Sequence, residues 1–461
     1  MSIKQDQMLQ AIYDTLFSAF TSPPADAEGQ GASQADQTYL TLEWPGQQID
    51  VAQFANPWSP QNKEGSTEAT ENLSFLVDKV QSLNPIFSAN GNNISDIYGL
   101  VTDAQVVPPP LDEKAKQQYE ESIAFLQADG TDFDDSGKQI TVKVDSPVYA
   151  NYKRKKKAYS NAVVTQMSNY FQYDMSKPED QRKWSLLGPT FTDAVNTAWN
   201  DWVNAQKTKV EDKLAVLAQS SNNQVGVVFN AARNQFNNMR RASVTNPGKN
   251  YWASYASPAN WFASSAAEEW TEVTIDSGSM HRSEHSDYTN MNAGGKASWG
   301  LWSVGGSFSK EDSHQSMDET TKNLKVSFKF ARIDITRPWL NMLLFNMKGW
   351  NVSSAYQKSG ISNGTKTQPL NTPFPLLSTS FIAVRDLKIS ADWGHQDSSF
   401  VSSKISTKVS VGWGPFAISG SYSHGSTDKK FNSSFDGRTI SNDGLQIIGW
   451  VNTIVPDCPP A

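Results

Sequence analysis

Two stretches decide how this sequence is read: Ser298-Trp299-Gly300-Leu301-Trp302-Ser303-Val304-Gly305-Gly306-Ser307-Phe308-Ser309 and Gly412-Trp413-Gly414-Pro415-Phe416-Ala417-Ile418-Ser419-Gly420-Ser421-Tyr422-Ser423. They align without a gap at an offset of 114, and the same offset relates His281 to His395 and Ile275 to Ile389. Where the two differ, size and character mostly persist: Trp302 for Phe416, Val304 for Ile418, Phe308 for Tyr422. Self-similarity of this kind reads as one supersecondary unit present twice. Leading strands are expected at 272–276 and 385–391, and returning strands at 324–335 and 445–455, with a short helix over 339–350 between the units.

Within the second copy, Val401, Ser403, Ile405, Thr407, Val409 and Val411 fall on one face of an extended chain, and Ser402, Lys404, Ser406, Lys408 and Ser410 on the other. The parity flips across Trp413-Gly414-Pro415, after which Phe416, Ile418, Gly420 and Tyr422 carry the apolar side. A two-faced ribbon folded at a Gly-Pro corner accounts for the flip. The first copy repeats the pattern less cleanly, with Met291, Ala293, Ala297 and Trp299 before the corner and Trp302, Val304 and Phe308 after it.

Pattern alone favours a β-sandwich with one wet face. The sharper reading is a membrane-inserting hairpin, since a transmembrane strand takes about 9–11 residues with one apolar and one small polar face. On that reading Trp299, Trp302, Trp413 and Phe416 are hairpin tips, and Val401, Ile405, Val409, Val411, Ile418 and Tyr422 are the apolar face. Two hairpins per chain would give four strands to a closed multi-subunit barrel. The two-hairpin plan resembles pore-forming proteins in outline only.

Upstream the period changes from two to near four. Met8, Ile12, Leu16 and Phe20 predict a helix that Ser22-Pro23-Pro24 stops. Further helices are expected around Leu73–Leu76–Val77, from Glu113 through Tyr119, Ile123 and Leu126, over 158–171, around Phe191, Val195, Trp199 and Trp202, and around Val225, Phe229 and Phe236, with a short β-like piece at 139–144. Near 243–258 Asn, Pro, Ser, Gly and Tyr accumulate and the helical period is lost. The expected fold is therefore α+β: a mostly helical N-terminal half followed by an internally duplicated, antiparallel, β-rich C-terminal half. The expected domains are 1–245 (helical, with a break near 130–150), a linker over 246–265, and 266–461 with repeat units at about 268–340 and 384–457.

Composition excludes some functions. The net charge of −7 offers no footprint for nucleic acid. From Glu268 onward 18 acidic and 18 basic residues cancel, so the N-terminal part carries all of the imbalance. The single cysteine, Cys458, allows no intramolecular disulfide. Residues 1–10 have no signal-like apolar core, and no stretch approaches the ~20 apolar residues of a membrane helix. The expectation is a chain made soluble, either cytoplasmic or released by a non-classical route.

Other motifs carry weaker signals. His281-Arg282-Ser283-Glu284-His285 has the letters of an inverted zincin site. It lies among Ser, Gly, Asp and Asn, and the second copy reads His395-Gln396-Asp397-Ser398-Ser399, which keeps only the first His; a structural role explains both copies. Asp132-Phe133-Asp134-Asp135-Ser136-Gly137 opens like a calcium loop but has Lys143 where the bidentate Glu belongs. Lys153-Arg154-Lys155-Lys156-Lys157 is the one strong basic run, a solvated helix start or the first contact with an anionic surface. All five histidines lie in the β half, and no phosphate loop or nucleophile elbow is present.

The functional expectation is thus a non-enzymatic, membrane-interacting, oligomeric pore-former that needs no cofactor, with a lipid membrane and further copies of itself as partners. The alternative is a self-assembling structural or interaction protein, and a third reading is a zinc hydrolase using His281, Glu284 and His285.

Overall fold

The structure, a computed structural model, describes residues 5–21, 38–84, 89–106, 113–134, 137–170, 173, 178–219, 224–263, 270–276, 302–304, 318–351, 360–368, 372–405, 410–424 and 427–460. It is α+β with antiparallel sheets. The helices are α1 (Gln5–Thr21), α2 (Thr67–Val77), α3 (Ile94–Thr102), α4 (Glu113–Leu126), α5 (Pro147–Tyr170), α6 (Pro178–Asn204), α7 (Lys207–Gln219), α8 (Gln224–Asn238) and α9 (His395–Ile405). The strands that matter below are β1 (Thr38–Gln48), β2 (Thr271–Asp276), β3 (Trp302–Val304), β4 (Lys322–Thr336), β5 (Leu376–Asp392), β6 (Val411–Trp413), β7 (Phe416–His424), β8 (Thr427–Asn432), β9 (Thr439–Asn442) and β10 (Gln446–Ile454).

The main sheet runs β1-β10-β5-β4-β2. Its centre holds two antiparallel pairings side by side, β2 with β4 and β5 with β9 and β10. Period two sets its two faces. Val326, Phe328 and Phe330 of β4 join one core, with Ile382 and Val384 of β5, and Ala331, Ile333, Phe381 and Ala383 join the core on the other side. Asp386, at φ +54°, sits where the β4–β5 register shifts, and beyond it Leu387, Ile389 and Ala391 rejoin the first core. An extra residue at a bulge restores an alternation that would otherwise have put these side chains on the wrong face.

Helix α1 covers the first face with Met8, Ile12 and Leu16 of the stripe its spacing predicts, joined by Leu9 and Phe17. Helices α3 to α8 enclose a separate core around Tyr98, Trp202, Phe229 and Phe236. Trp339, Phe345, Trp350, Val455 and Cys458 from the C-terminal part complete that core. Likewise β1, from the first fifty residues, pairs with β10 near the end of the chain. The composition change near 243–258 therefore marks a change of secondary structure, and among the described residues the apolar face of each half is closed in part by residues of the other.

The stretch expected as a short helix over 339–350 holds a single 3-10 turn, Met342–Asn346, capped by the Asn341 side chain on the Leu343 N–H at 3.1 Å. The helix expected over 158–171 starts earlier, at Pro147, and takes in the whole basic run.

Candidate functional site

A row of paired residues, Asp276–Lys325–Ser390–Thr439, crosses four strands near one end of the main sheet. At that end two insertions follow in the sequence, 277–321 between β2 and β4, of which 302–304 and 318–321 are described, and 393–438 between β5 and β9, which rejoins the sheet at Ser434–Phe435. Each insertion is roughly 45 residues, about twice what two strands of about 9–11 residues need.

The two insertions pair with each other. Strand β3 of the first lies antiparallel to β6 of the second, with Trp302 opposite Trp413, Ser303 opposite Gly412 and Val304 opposite Val411. Strands β7 and β8 complete a four-stranded sheet of order β3-β6-β7-β8. Trp413 pairs with Phe416 across Gly414-Pro415, with Gly414 at φ +54°, so the Gly-Pro corner is a two-residue hairpin turn.

The corner does not project. Trp302, Trp413 and Phe416 are at most 1% exposed and belong to the core that α1 and the main sheet share. Phe416 meets Phe328 of β4 at 5.2 Å between ring centroids, and Trp302 meets Phe400 of α9 at 5.3 Å. The corner is wedged against a bulge in β1, where a Cβ on Gly46 would stand 2.6 Å from the Pro415 carbonyl oxygen and one on Gly412 2.2 Å from Pro45 Cβ. The tips expected at a ribbon end are thus packed inside; Trp299 lies outside the described residues.

Residues 395–405 correct the strand expected from Val401. They form α9, with Val401 buried and Ile405 half-buried against the same core. Val401 and Ile405 are four apart, a spacing that suits a strand face and a helix face equally. Asp397, Phe400, Val401 and Ile405 turn one face inward at i, i+3, i+4 and i+8, with Asp397 in the first turn and Lys404 in the last to suit the helix dipole. Val411 and Ile418 are buried strand residues; Val409 lies outside the described residues, and Tyr422 is in β7.

Asp397 is wholly buried. Its carboxylate accepts from Trp302 Nε1 at 3.2 Å, the Asp318 N–H at 3.0 Å and the Thr321 hydroxyl at 2.7 Å. Sequence reading passed over it because the alternation assigned to 401–411 hid the helical spacing around Asp397. Elsewhere along the seam, Trp413 Nε1, Ser303 Oγ, Gln446 Nε2 and Gln48 Nε2 are buried with no hydrogen-bond partner among the described residues. On the β1 bulge, Glu43 accepts from Trp450 Nε1 at 2.7 Å, and burial pushes its carboxyl up to about 7.

The basic run lies on α5 and its charges are engaged. Lys153 pairs with Asp145 at 2.5 Å, Lys155 with Asp201 at 2.6 Å and Lys157 with Asp334 at 3.6 Å. Arg154 donates to Asn151, and Lys156 sits 5.8 Å from the Trp202 ring centroid, its amine pushed down to about 8 by burial. The acidic turn at Asp132 and Asp134 joins strands Gln127–Phe133 and Gln139–Asp145, with Asp134 capping the Lys138 N–H at 2.9 Å. His281, Glu284 and His285 lie outside the described residues. Among the described residues no helix is long and apolar enough to cross a membrane. No family model, curated protein or solved structure matches the chain.

Proposed function

We propose that this chain is a membrane-inserting, pore-forming protein whose membrane segments are the two insertions, 277–321 and 393–438, at one end of the main sheet. The observation that carries the reading is their placement. Each joins a long strand, β4 or β5, to a shorter antiparallel one, β2 or β9, at the same end, so straightening an insertion would extend strands that already exist. The reading takes the two hairpins as copies of one unit, in line with the correspondence of Trp299 to Trp413 and Ile275 to Ile389.

The stretch from Val401 to Val411 supports the same idea. It has the alternation of an amphipathic strand, yet its first part is folded as α9. A segment that suits two packings is the physical requirement for a switch between them. Closure of four strands per chain with those of further copies would leave no open edge in the bilayer.

The test is a lock. Val304 and Val411 face each other across β3 and β6, where antiparallel Cα atoms are about 4.5–5.5 Å apart, within reach of a disulfide. The Val304→Cys/Val411→Cys protein should release dye from vesicles spanning neutral and anionic lipids when reduced and not when oxidised. Equal leakage in both states refutes the assignment of the insertions as the membrane segments. No leakage from the wild-type chain on any of these vesicles refutes pore formation, and filaments or closed particles without lipid would favour the self-assembly alternative.

A further inference from the structure

The contact between the insertions has a polar centre apart from its aromatic packing. Asp397, at the start of the second insertion, takes all three of its hydrogen bonds from the first: Trp302 Nε1, the Asp318 N–H and the Thr321 hydroxyl. The exchange is reciprocal. Asp318, in the first insertion, accepts the Gln396 N–H at 3.0 Å, and the Thr321 hydroxyl oxygen accepts the Gly394 N–H at 2.9 Å. Asp318 is fixed in turn by the N–H and hydroxyl of Thr320, at 2.9 and 2.6 Å. The two segments approach so closely that a Cβ on Gly394 would stand 2.3 Å from Asp318 Cγ and 2.4 Å from Thr320 Oγ1. Glycine is needed here for the approach itself.

We propose that Asp397 and Asp318 form a two-carboxylate latch that joins the insertions, and that opening this latch limits their release. The regulatory role rests on the pore-forming reading; the latch itself does not. A buried carboxylate that satisfies three donors is strongly held, and removing its charge leaves those donors with a weaker acceptor. Among the described residues, each partner of Asp397 belongs to the opposite insertion or to its return into β4.

Two substitutions test it. Asp397→Asn keeps the shape and removes the charge, and Thr321→Val keeps the shape and removes the hydroxyl that serves both Asp397 and Gly394. Hydrogen exchange in solution, without lipid, is the primary readout. Backbone amides of 302–304 and 411–413 should exchange at least about tenfold faster in either variant, the effect of losing one charge-assisted bond, while those of 446–454 keep their wild-type rates. Should Asp397→Asn fail to fold, Thr321→Val decides alone. Unchanged exchange at 302–304 and 411–413, or equal acceleration in 446–454, overturns the latch. With dye-loaded vesicles, the variants should leak at least about tenfold faster than wild type, and the oxidised Val304→Cys/Val411→Cys background should abolish the gain. Faster exchange in a protein that never leaks leaves the latch standing and removes the pore-forming reading. Faster exchange with leakage at the wild-type rate overturns the claim that the latch limits release.

Discussion

Replacing Glu43 by Gln should change how stability depends on pH more than it changes stability itself. Burial raises the folded carboxyl from 4.5 to about 7, against the hydrogen bond from Trp450 and the nearby charge of Lys79, which act to lower it. In the unfolded chain the group ionises near its ordinary value. Between those two values the folded protein therefore holds a proton that the unfolded chain has released, and stability must fall as pH rises. The shift is worth about 3 kcal/mol at 1.36 kcal/mol per pKa unit. The penalty is absent below the unfolded value, grows as pH rises toward 7 and is constant above. Gln cannot ionise and still offers an oxygen to Trp450 Nε1. Urea unfolding at intervals from pH 4.5 to 8 gives the measurement. The difference in unfolding free energy, wild type minus variant, should decline by about 3 kcal/mol across that range and level off above pH 7. Asp78, pushed up to about 6 by burial, adds a slope of the same sign to both proteins and cancels in the difference. A difference that stays flat, or that rises with pH, refutes the assignment of Glu43 as a neutral acid beneath the bulge. If the proposed function holds, acidification from pH 7 to 5 stabilises the folded form through these two groups and so opposes release.

Two further outcomes test the packing and the charge assignments. Trp413→Ala should lower stability by about 3–5 kcal/mol, the cost of emptying a fully buried Trp site, read as a drop in urea midpoint at unchanged slope; a loss under 1 kcal/mol would mean that the corner is not part of the core. The triple variant Lys153→Gln/Lys155→Gln/Lys157→Gln should change binding to anionic vesicles by less than about twofold, because those ammonium groups already face Asp145, Asp201 and Asp334. A tenfold loss in vesicle sedimentation would restore the run as a lipid contact.

Much of the secondary structure was legible because it depends on local periodicity. The α1 stripe, the helix from Glu113 and the four sheet strands of the C-terminal half lie where apolar spacing puts them. The candidate site was legible in part. The aromatic corners and their pairing tendency are in the sequence, but their direction is not. Trp413-Gly414-Pro415-Phe416 makes the same two-residue turn whether it projects into a bilayer or packs beneath α1, since a turn is set by its own four residues.

By itself, then, the sequence determined which segments alternate, where the corner lies, and that the chain is α+β. Tertiary structure decided the rest, because those outcomes depend on partners far away along the chain. Residues 395–405 became a helix because Val401 and Ile405 serve either period, and the core beside Trp302 and Phe400 rewards the helical face. The two halves interlock because β1 finds its partner in β10, some four hundred residues on. Asp397 gained its role only when three donors from the other insertion closed around it. Local pattern sets what a segment can form; the burial available from distant residues sets which of those forms it takes.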